Sequence, residues 1–219
     1  VVALLVVVVQ PGSWLLAAPF LLLWVLSPVV AQRISLPLRG TGQEPLAPRD
    51  ETVLRLAARR TWHFFETFVG PEDNALPPDN FQEDPKPVVA HRTSPTNIGL
   101  SLMATLGAHD LDFIDTATLV RRLDQTLSTV ERLQRHEGHL LNWYDTRTLA
   151  PLPPLYVSTV DSGNLAGHLI ALQQALPELA QVSPDRFSAL EGLRDGLSLV
   201  VQAAEAVAER SRGTVTKKQ

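Results

Sequence analysis

The chain has 219 residues, 45% of them apolar, enough for one domain with a core and an appendage. Its 19 basic and 23 acidic residues leave a net charge of −4, so the positive field that binds a nucleic-acid backbone is missing, and nucleic acid is excluded as a partner. Cysteine is absent, which removes disulfides and thiolate chemistry and leaves the compartment open.

Residues 1–32 form an uncharged block that ends at Arg33. Val1–Val9 is apolar, Gln10-Pro-Gly-Ser13 interrupts it, and Trp14–Ala31 is a second run of 18 residues, about the length of a bilayer span. Pro19 and Pro28 weigh against a straight helix, whereas Trp14, Trp24 and the lack of charge suit a membrane segment. Arg33, Arg39, Arg49, Arg55, Arg59 and Arg60 follow, which by the positive-inside tendency places the rest of the chain in the cytoplasm. A signal peptide cleaved after Val29-Val-Ala31 competes with this reading, but no basic start precedes the run. The absence of an initiating Met fits a piece of a longer protein, with Val1–Val9 as the tail of an earlier span.

Residues 33–50 carry Pro37, Pro45 and Pro48 beside Gly40 and Gly42, the composition of an irregular linker. A 3.6-residue period then takes over in residues 51–219. Leu54, Ala58, Trp62, Phe65 and Val69 predict a first helix that stops at Gly70-Pro71. Ser94-Pro95 predicts an N-cap and first turn, followed by Ile98, Leu102 and Leu106. A third helix is expected from Asp115 through Leu119, Leu123, Leu127, Val130 and Leu133 to about Gly138. A fourth is expected from Asp161 or Ser162 through Leu165, Leu169, Leu172 and Leu176, stopping at Pro177. Ser183-Pro184 repeats the cap-and-proline start for a fifth, with Phe187, Leu190, Leu193, Leu197, Val200, Ala204 and Val207. Residues 139–160 read as short strands or an ordered loop, long enough to carry function.

Four polar cassettes lie between these helices: Pro77-Pro-Asp-Asn-Phe-Gln82, His91-Arg-Thr-Ser-Pro-Thr-Asn97, Asn142-Trp-Tyr-Asp-Thr146 and Val160-Asp-Ser-Gly-Asn-Leu165. Each sets polar or aromatic groups at a helix entrance or loop, where a rigid frame presents them to a ligand. Each also has a structural reading: Ser94, Asp161 and Ser162 suit helix caps, and Asp79-Asn80 suits a turn. Trp143 and Tyr144 beside Asn142 and Asp145 suit a sugar, whose ring hydrogens pack on an aromatic face while its hydroxyls take polar partners; they equally suit a pair of aromatics covering a core. His136 and His139 read as an exposed helix end without further metal ligands. Ser162 lacks the Gly-x-Ser-x-Gly setting of a nucleophile, and no phosphate-binding glycine loop, dinucleotide fingerprint or zinc signature occurs.

The stretches Arg59-Arg-Thr-Trp-His-Phe-Phe-Glu-Thr-Phe68, Leu76–Pro87, Ala90–Gly99, Asn142–Thr146 and Ser158–His168 closely resemble cyclic β-1,2-glucan synthases. The resemblance runs over roughly residues 14–176, to a membrane span and the start of the glucoamylase-like middle domain of those synthases. It implies an all-α architecture, the first half of an (α/α)6 toroid barrel preceded by a transmembrane helix. In that family a glycosyltransferase module extends β-1,2-glucan from UDP-glucose, the toroid closes the ring by transglycosylation, and a phosphorylase-like module adjusts chain length. The resemblance therefore implies a bacterial inner-membrane protein with its soluble part cytoplasmic, β-1,2-glucan and the remaining modules as partners, and no cofactor or metal in this segment.

Retaining glycosyl transfer needs two carboxylates about 5–5.5 Å apart. The resemblance places that pair downstream of this segment, so this segment alone is expected to be inactive. Asp79, Asn80, Asn142, Asp145, Asp161 and Asn164 are accordingly expected to bind glucan hydroxyls, with Trp143 and Tyr144 as stacking surfaces. Two other readings stay open here: a secreted or periplasmic glucan hydrolase with the same barrel, and a non-catalytic helical interaction module on a membrane anchor.

Overall fold

The computed structural model describes Gly12 and residues 14–36, 46–179 and 188–215, without the side chains of 188–189 and 210–215. Val1–Val9, Phe187, the Ser183-Pro184 helix start and the proline- and glycine-bearing residues 37–45 lie outside the described residues. Two compact units divide the chain, Val1–Leu46 and Ala47–Gln219.

In the first unit, helix α1 (Trp14–Ser35) has no buried residue and no acidic residue in its first turn, and it contains both Pro19 and Pro28. It is long and apolar enough to cross a membrane. Arg33 stands in its last turn, where the helix dipole favours a cation. Residues 33–35, expected in the linker, thus continue the helix.

Among the described residues the second unit holds five α-helices and a short 3-10 turn at Pro71–Asp73. Helix α2 (Pro48–Phe68) opens on a proline with Asp50 and Glu51 in its first turn, which complement the dipole where Ala47 supplies no side-chain cap. Trp62 is its buried residue, while Leu54, at the start of the predicted stripe, is exposed. Helix α3 (Pro95–Asp110) begins as the sequence predicts: the Ser94 hydroxyl accepts from the Asn97 N–H at 3.2 Å, with Pro95 in the first turn. Helix α4 (Thr116–Arg132) is capped by Asp115, whose carboxylate accepts from the Thr118 N–H at 2.7 Å. Hydrogen bonds from the Thr118 side chain and then from its N–H hold the Asp115 carboxyl below its ordinary range. Helices α5 (Thr159–Leu179) and α6 (Ser188–Val215) follow.

Helix α3 is the hub, in contact with α2, α4 and α5. Ile98 and Leu102 of α3, Leu119, Leu123 and Val130 of α4, and Leu165 and Leu172 of α5 form one buried cluster with Leu76, Leu133, Leu140, Leu141 and Tyr144. Between α3 and α5 the approach is close enough that a Cβ on Gly99 would sit 2.3 Å from His168 Nδ1. Helix α6 instead packs on α2, and a Cβ on Gly192 would lie 1.9 Å from the Asp112 carbonyl.

Two helix boundaries differ from the sequence reading. Helix α4 stops at Arg132 because residues 135–140 form a tight hairpin, β4 (Arg135–His136) against β5 (His139–Leu140). Glu137 and Gly138 both take positive φ, 48° and 85°, the geometry that matches a hairpin turn to strand twist. His136 and His139 are therefore cross-strand partners, not a helix end. Helix α5 starts two residues earlier than expected, because Ser158 and not Asp161 caps it: the Ser158 hydroxyl accepts from the Asp161 N–H at 3.1 Å and donates to the Asp161 carboxylate at 2.6 Å. It also runs through Pro177 to Leu179.

Strands β1 (Phe81–Gln82) and β2 (Val88–Val89) form a second antiparallel pair. The third joins distant cassettes: β3 (Arg92–Thr93) pairs with β6 (Tyr144–Asp145), Arg92 opposite Asp145 and Thr93 opposite Tyr144.

Candidate functional site

The four cassettes meet at one end of the α3–α5 pair. Both helices begin there, and side chains tie the two starts together: the Thr96 hydroxyl donates to Asp161 Oδ1 at 2.6 Å, and Asn164 Nδ2 donates to Thr96 Oγ1 at 3.1 Å. Burial pushes the Asp161 carboxyl up, but hydrogen bonds from Ser158, Thr96 and Ser94 outweigh it and hold it below the usual carboxylate range.

The β3–β6 pairing brings the second and third cassettes side by side, and the first is laced to the second by the Asp79 N–H on the Ala90 carbonyl (3.1 Å) and the Ala90 N–H on the Asn80 carbonyl (3.0 Å). The Asp79 carboxylate accepts from Arg92 Nε and Nη2 at 3.1 and 2.9 Å, from Asn80 Nδ2 at 3.1 Å and from Asn97 Nδ2 at 3.3 Å. The Arg92 guanidinium in turn lies over the Trp143 ring, 4.9 Å from its centroid. Asn142 closes the chain. With its amide oriented to satisfy its neighbours, it donates to Asp161 Oδ2 at 3.0 Å and accepts from the Trp143 indole N–H at 2.6 Å and the Tyr156 hydroxyl at 2.7 Å.

Asp79, Asn80, Asn142, Trp143, Asp161 and Asn164 are thus joined in one polar network, in which Asn142 itself is buried at 5% exposure. Two other residues that the sequence reading grouped with them take other positions. Tyr144 is fully buried, its hydroxyl accepting from the Leu141 N–H at 2.6 Å and donating to the Gln134 carbonyl at 2.7 Å. Its ring packs in the core and offers no stacking face; burial pushes its hydroxyl pKa up. The Asp145 carboxylate folds back on its own turn, accepting from the Thr148 N–H at 2.7 Å, the Arg147 N–H at 3.0 Å and the Thr148 hydroxyl at 3.0 Å. The Thr148 N–H is the main cause of its lowered pKa, and this carboxylate shapes a loop.

A buried joint beneath this surface was not singled out from the sequence. Asp73, 5% exposed, accepts from the Thr146 hydroxyl and from His91 Nδ1, the latter at 2.8 Å. Arg147 Nη2 donates to His91 Nε2 and to Glu72 Oε1, each at 2.7 Å. With its ring proton on Nδ1, His91 donates to Asp73 and accepts from Arg147. Asn74 and Ala75, at φ 53° and 59°, turn the chain just above, and their carbonyls accept from the Thr129 hydroxyl at 2.7 Å and the Thr126 hydroxyl at 2.9 Å of α4. The signal for this joint was a lone Asp73 after Gly70-Pro71, and it carries meaning only once Thr146 and His91 lie beside it. Among the described residues no group of three or more His, Asp or Glu is placed to hold a metal ion.

The layered helices and the polar end of α3 and α5 define the class: part of a glucoamylase-like (α/α)6 toroid. A candidate glucoamylase from Bacteroides fragilis NCTC 9343 superposes with a TM-score of 0.50 at 17% identity, over 72% of this chain and 37% of that one. An endo-β-1,2-glucanase from Chitinophaga pinensis, in complex with sophorotriose and glucose, gives 0.49 at 14% identity, over 69% of this chain and 36% of that one. The chain belongs to the family described as Protein of unknown function (DUF3131), whose match spans residues 56–183. Over 193 residues it is 44% identical to the cyclic β-(1,2)-glucan synthase NdvB of Rhizobium meliloti (strain 1021), a match that takes in 88% of this chain and 7% of that protein's length.

Proposed function

We propose that this chain is a segment of a membrane-bound cyclic β-1,2-glucan synthase, in which the helical unit supplies glucan-binding loops at the entrance of the toroid that closes the ring by transglycosylation. The observation that carries the reading is the convergence of four cassettes, far apart in sequence, on the joined N-termini of α3 and α5. A glucan offers hydroxyls that both donate and accept and an apolar ring face, and amides, hydroxyls and one indole suit it better than they suit an ion or a phosphate. The 44% identity to a cyclic β-(1,2)-glucan synthase supports the choice of glucan.

Donors hold both oxygens of Asp161, chiefly Oδ2 of Asp79 and Oδ1 of Asp145, and these groups serve binding and loop shape; the carboxylate pair of the transfer chemistry belongs to the rest of the toroid. The transglycosylation step needs no cofactor, and UDP-glucose is used by a separate transferase module. Helix α1 spans the inner membrane and the helical unit lies on the cytoplasmic side, as the arginines after α1 favour. In the full-length protein, Trp143→Ala is expected to make linear β-1,2-glucan accumulate at the expense of the ring while elongation from UDP-glucose continues, a loss on the order of 1–3 kcal/mol of binding. Normal ring yield from a stable Trp143→Ala protein would refute this.

A further inference from the structure

Asp79 looks like the natural hydroxyl partner in the first cassette, yet its carboxylate is largely taken, with three donors on Oδ2 and Asn97 on Oδ1. A carboxylate offers roughly four lone-pair directions, and Arg92 Nε, Arg92 Nη2, Asn80 Nδ2 and Asn97 Nδ2 already approach it. Arg92 is in the opposite condition. Two of its N–H groups go to Asp79, and among the described residues Nη1 makes no hydrogen bond. Its side chain is 52% exposed where that of Asp79 is 19% exposed.

We propose that Arg92 is the side chain of this surface that grips the glucan, through a vicinal pair of hydroxyls, and that Asp79 is the buttress that aims it; the proposal rests on the glucan-binding reading above and deepens it. The guanidinium has a fixed plane, because Asp79 holds one edge and the Trp143 ring holds one face. Trp143 is itself fixed by its indole N–H on Asn142, so the two planes form one rigid platform. The free edge of the guanidinium is a fork of donors, and a fork of donors pairs with two adjacent oxygens. Asp79 balances the charge of Arg92, so the platform suits a neutral ligand over an anion.

The linkage then selects the hydroxyls. Within a β-1,2-glucan each glucose spends O1 and O2 on its neighbours, which leaves O3 and O4 as its free vicinal pair. A β-1,3-glucan spends O3 and has no such pair within the chain. Arg92 is accordingly a residue that discriminates the 1,2-linkage from the 1,3-linkage.

The test uses the full-length protein in detergent, with purified linear β-1,2-gluco-oligosaccharide and β-1,3-gluco-oligosaccharide of equal length as probes. Arg92→Ala is expected to raise the KM of ring closure about tenfold with kcat little changed, and to bring the preference for the 1,2-linked probe in direct binding towards unity. Arg92→Lys, which keeps the charge and loses the fork, should restore the stack on Trp143 but not the linkage preference. Asp79→Asn should give the same direction of change, smaller in size. Should Arg92→Ala weaken both probes equally, or leave both unchanged while Trp143→Ala weakens them, the role assigned to Arg92 is wrong and the glucan-binding reading stands. Failure of the wild-type protein to bind either probe sinks that reading itself. Where Arg92→Ala does not fold, Arg92→Lys and Arg92→Gln carry the same comparison of the two probes.

Discussion

Helices α5 and α6 carry the same leucine period and meet opposite fates. In α5 part of the apolar side faces inward: Leu165 and Leu172 are buried in the core and His168 lies against Gly99 of α3, while Leu169 and Leu176 stay exposed. In α6 it is the polar side that docks. Arg55 of α2 donates to Asp195 at 2.8 Å and to the Leu111 carbonyl at 3.1 Å, Arg60 donates to Gln202 at 2.6 Å, and Gly192 sits against Asp112. The ridge of Leu190, Leu193, Leu197 and Val200 is left outward, with Leu193 70% exposed. A hydrophobic period therefore defines a face but not what covers it.

The difference between the helices can be broken most forcefully by truncating one leucine on each. Leu172→Ala, buried on α5, should cost about 2–5 kcal/mol, whereas Leu197→Ala on the α6 ridge should stay within about 0.5 kcal/mol. Chemical unfolding of residues 47–219 measures both, and equal costs would mean that α6 buries its ridge after all. A smaller effect comes from the glycines. Gly99→Ala drives a methyl into His168 and should cost about 1–3 kcal/mol, partly recovered by adding His168→Ala. Gly167→Ala meets nothing within 4 Å and should be neutral or stabilising by up to about 1 kcal/mol. A Gly99→Ala protein as stable as wild type would show that the α3–α5 approach is looser than described.

The smallest effect is the pH dependence at the start of α5. The Asp161 carboxyl titrates below its ordinary 3.8 in the folded chain, so its ionised form stabilises the fold. That contribution is fully present above the ordinary value and is lost as pH falls through the lowered one. Asp161→Asn should thus flatten the acid limb of the stability curve below about pH 4.

The helix starts were legible where one residue type does the work: Ser94 before Pro95 and Asp115 before the Leu119 stripe both cap as read. Boundaries set by pairing were not. The α4 stop depends on Glu137 and Gly138 turning a hairpin whose partner strand must already lie beside it, and the α5 start depends on Ser158 meeting Asp161 three residues on. The site followed the same rule. The cassettes declared their polarity, but which groups stay free is decided by neighbours distant in sequence. Tyr144 is consumed by Gln134 and Leu141, Asp145 by Thr148, and Asp79 by Arg92, while Arg92 gains its place from Trp143, 51 positions away by their residue numbers.

The left-handed corner at Asn74 and Ala75 also sets an order of events during synthesis. Its carbonyls wait for Thr129 and Thr126, its Asn74 amide waits for the carbonyls of Thr146 and Arg147, and the Asp73 carboxylate beside it waits for His91 and Thr146. The β1–β2 pair and the Ser94 cap are local to residues 71–97, but the corner's own hydrogen bonds are complete only after α4 and the β6 turn have been made.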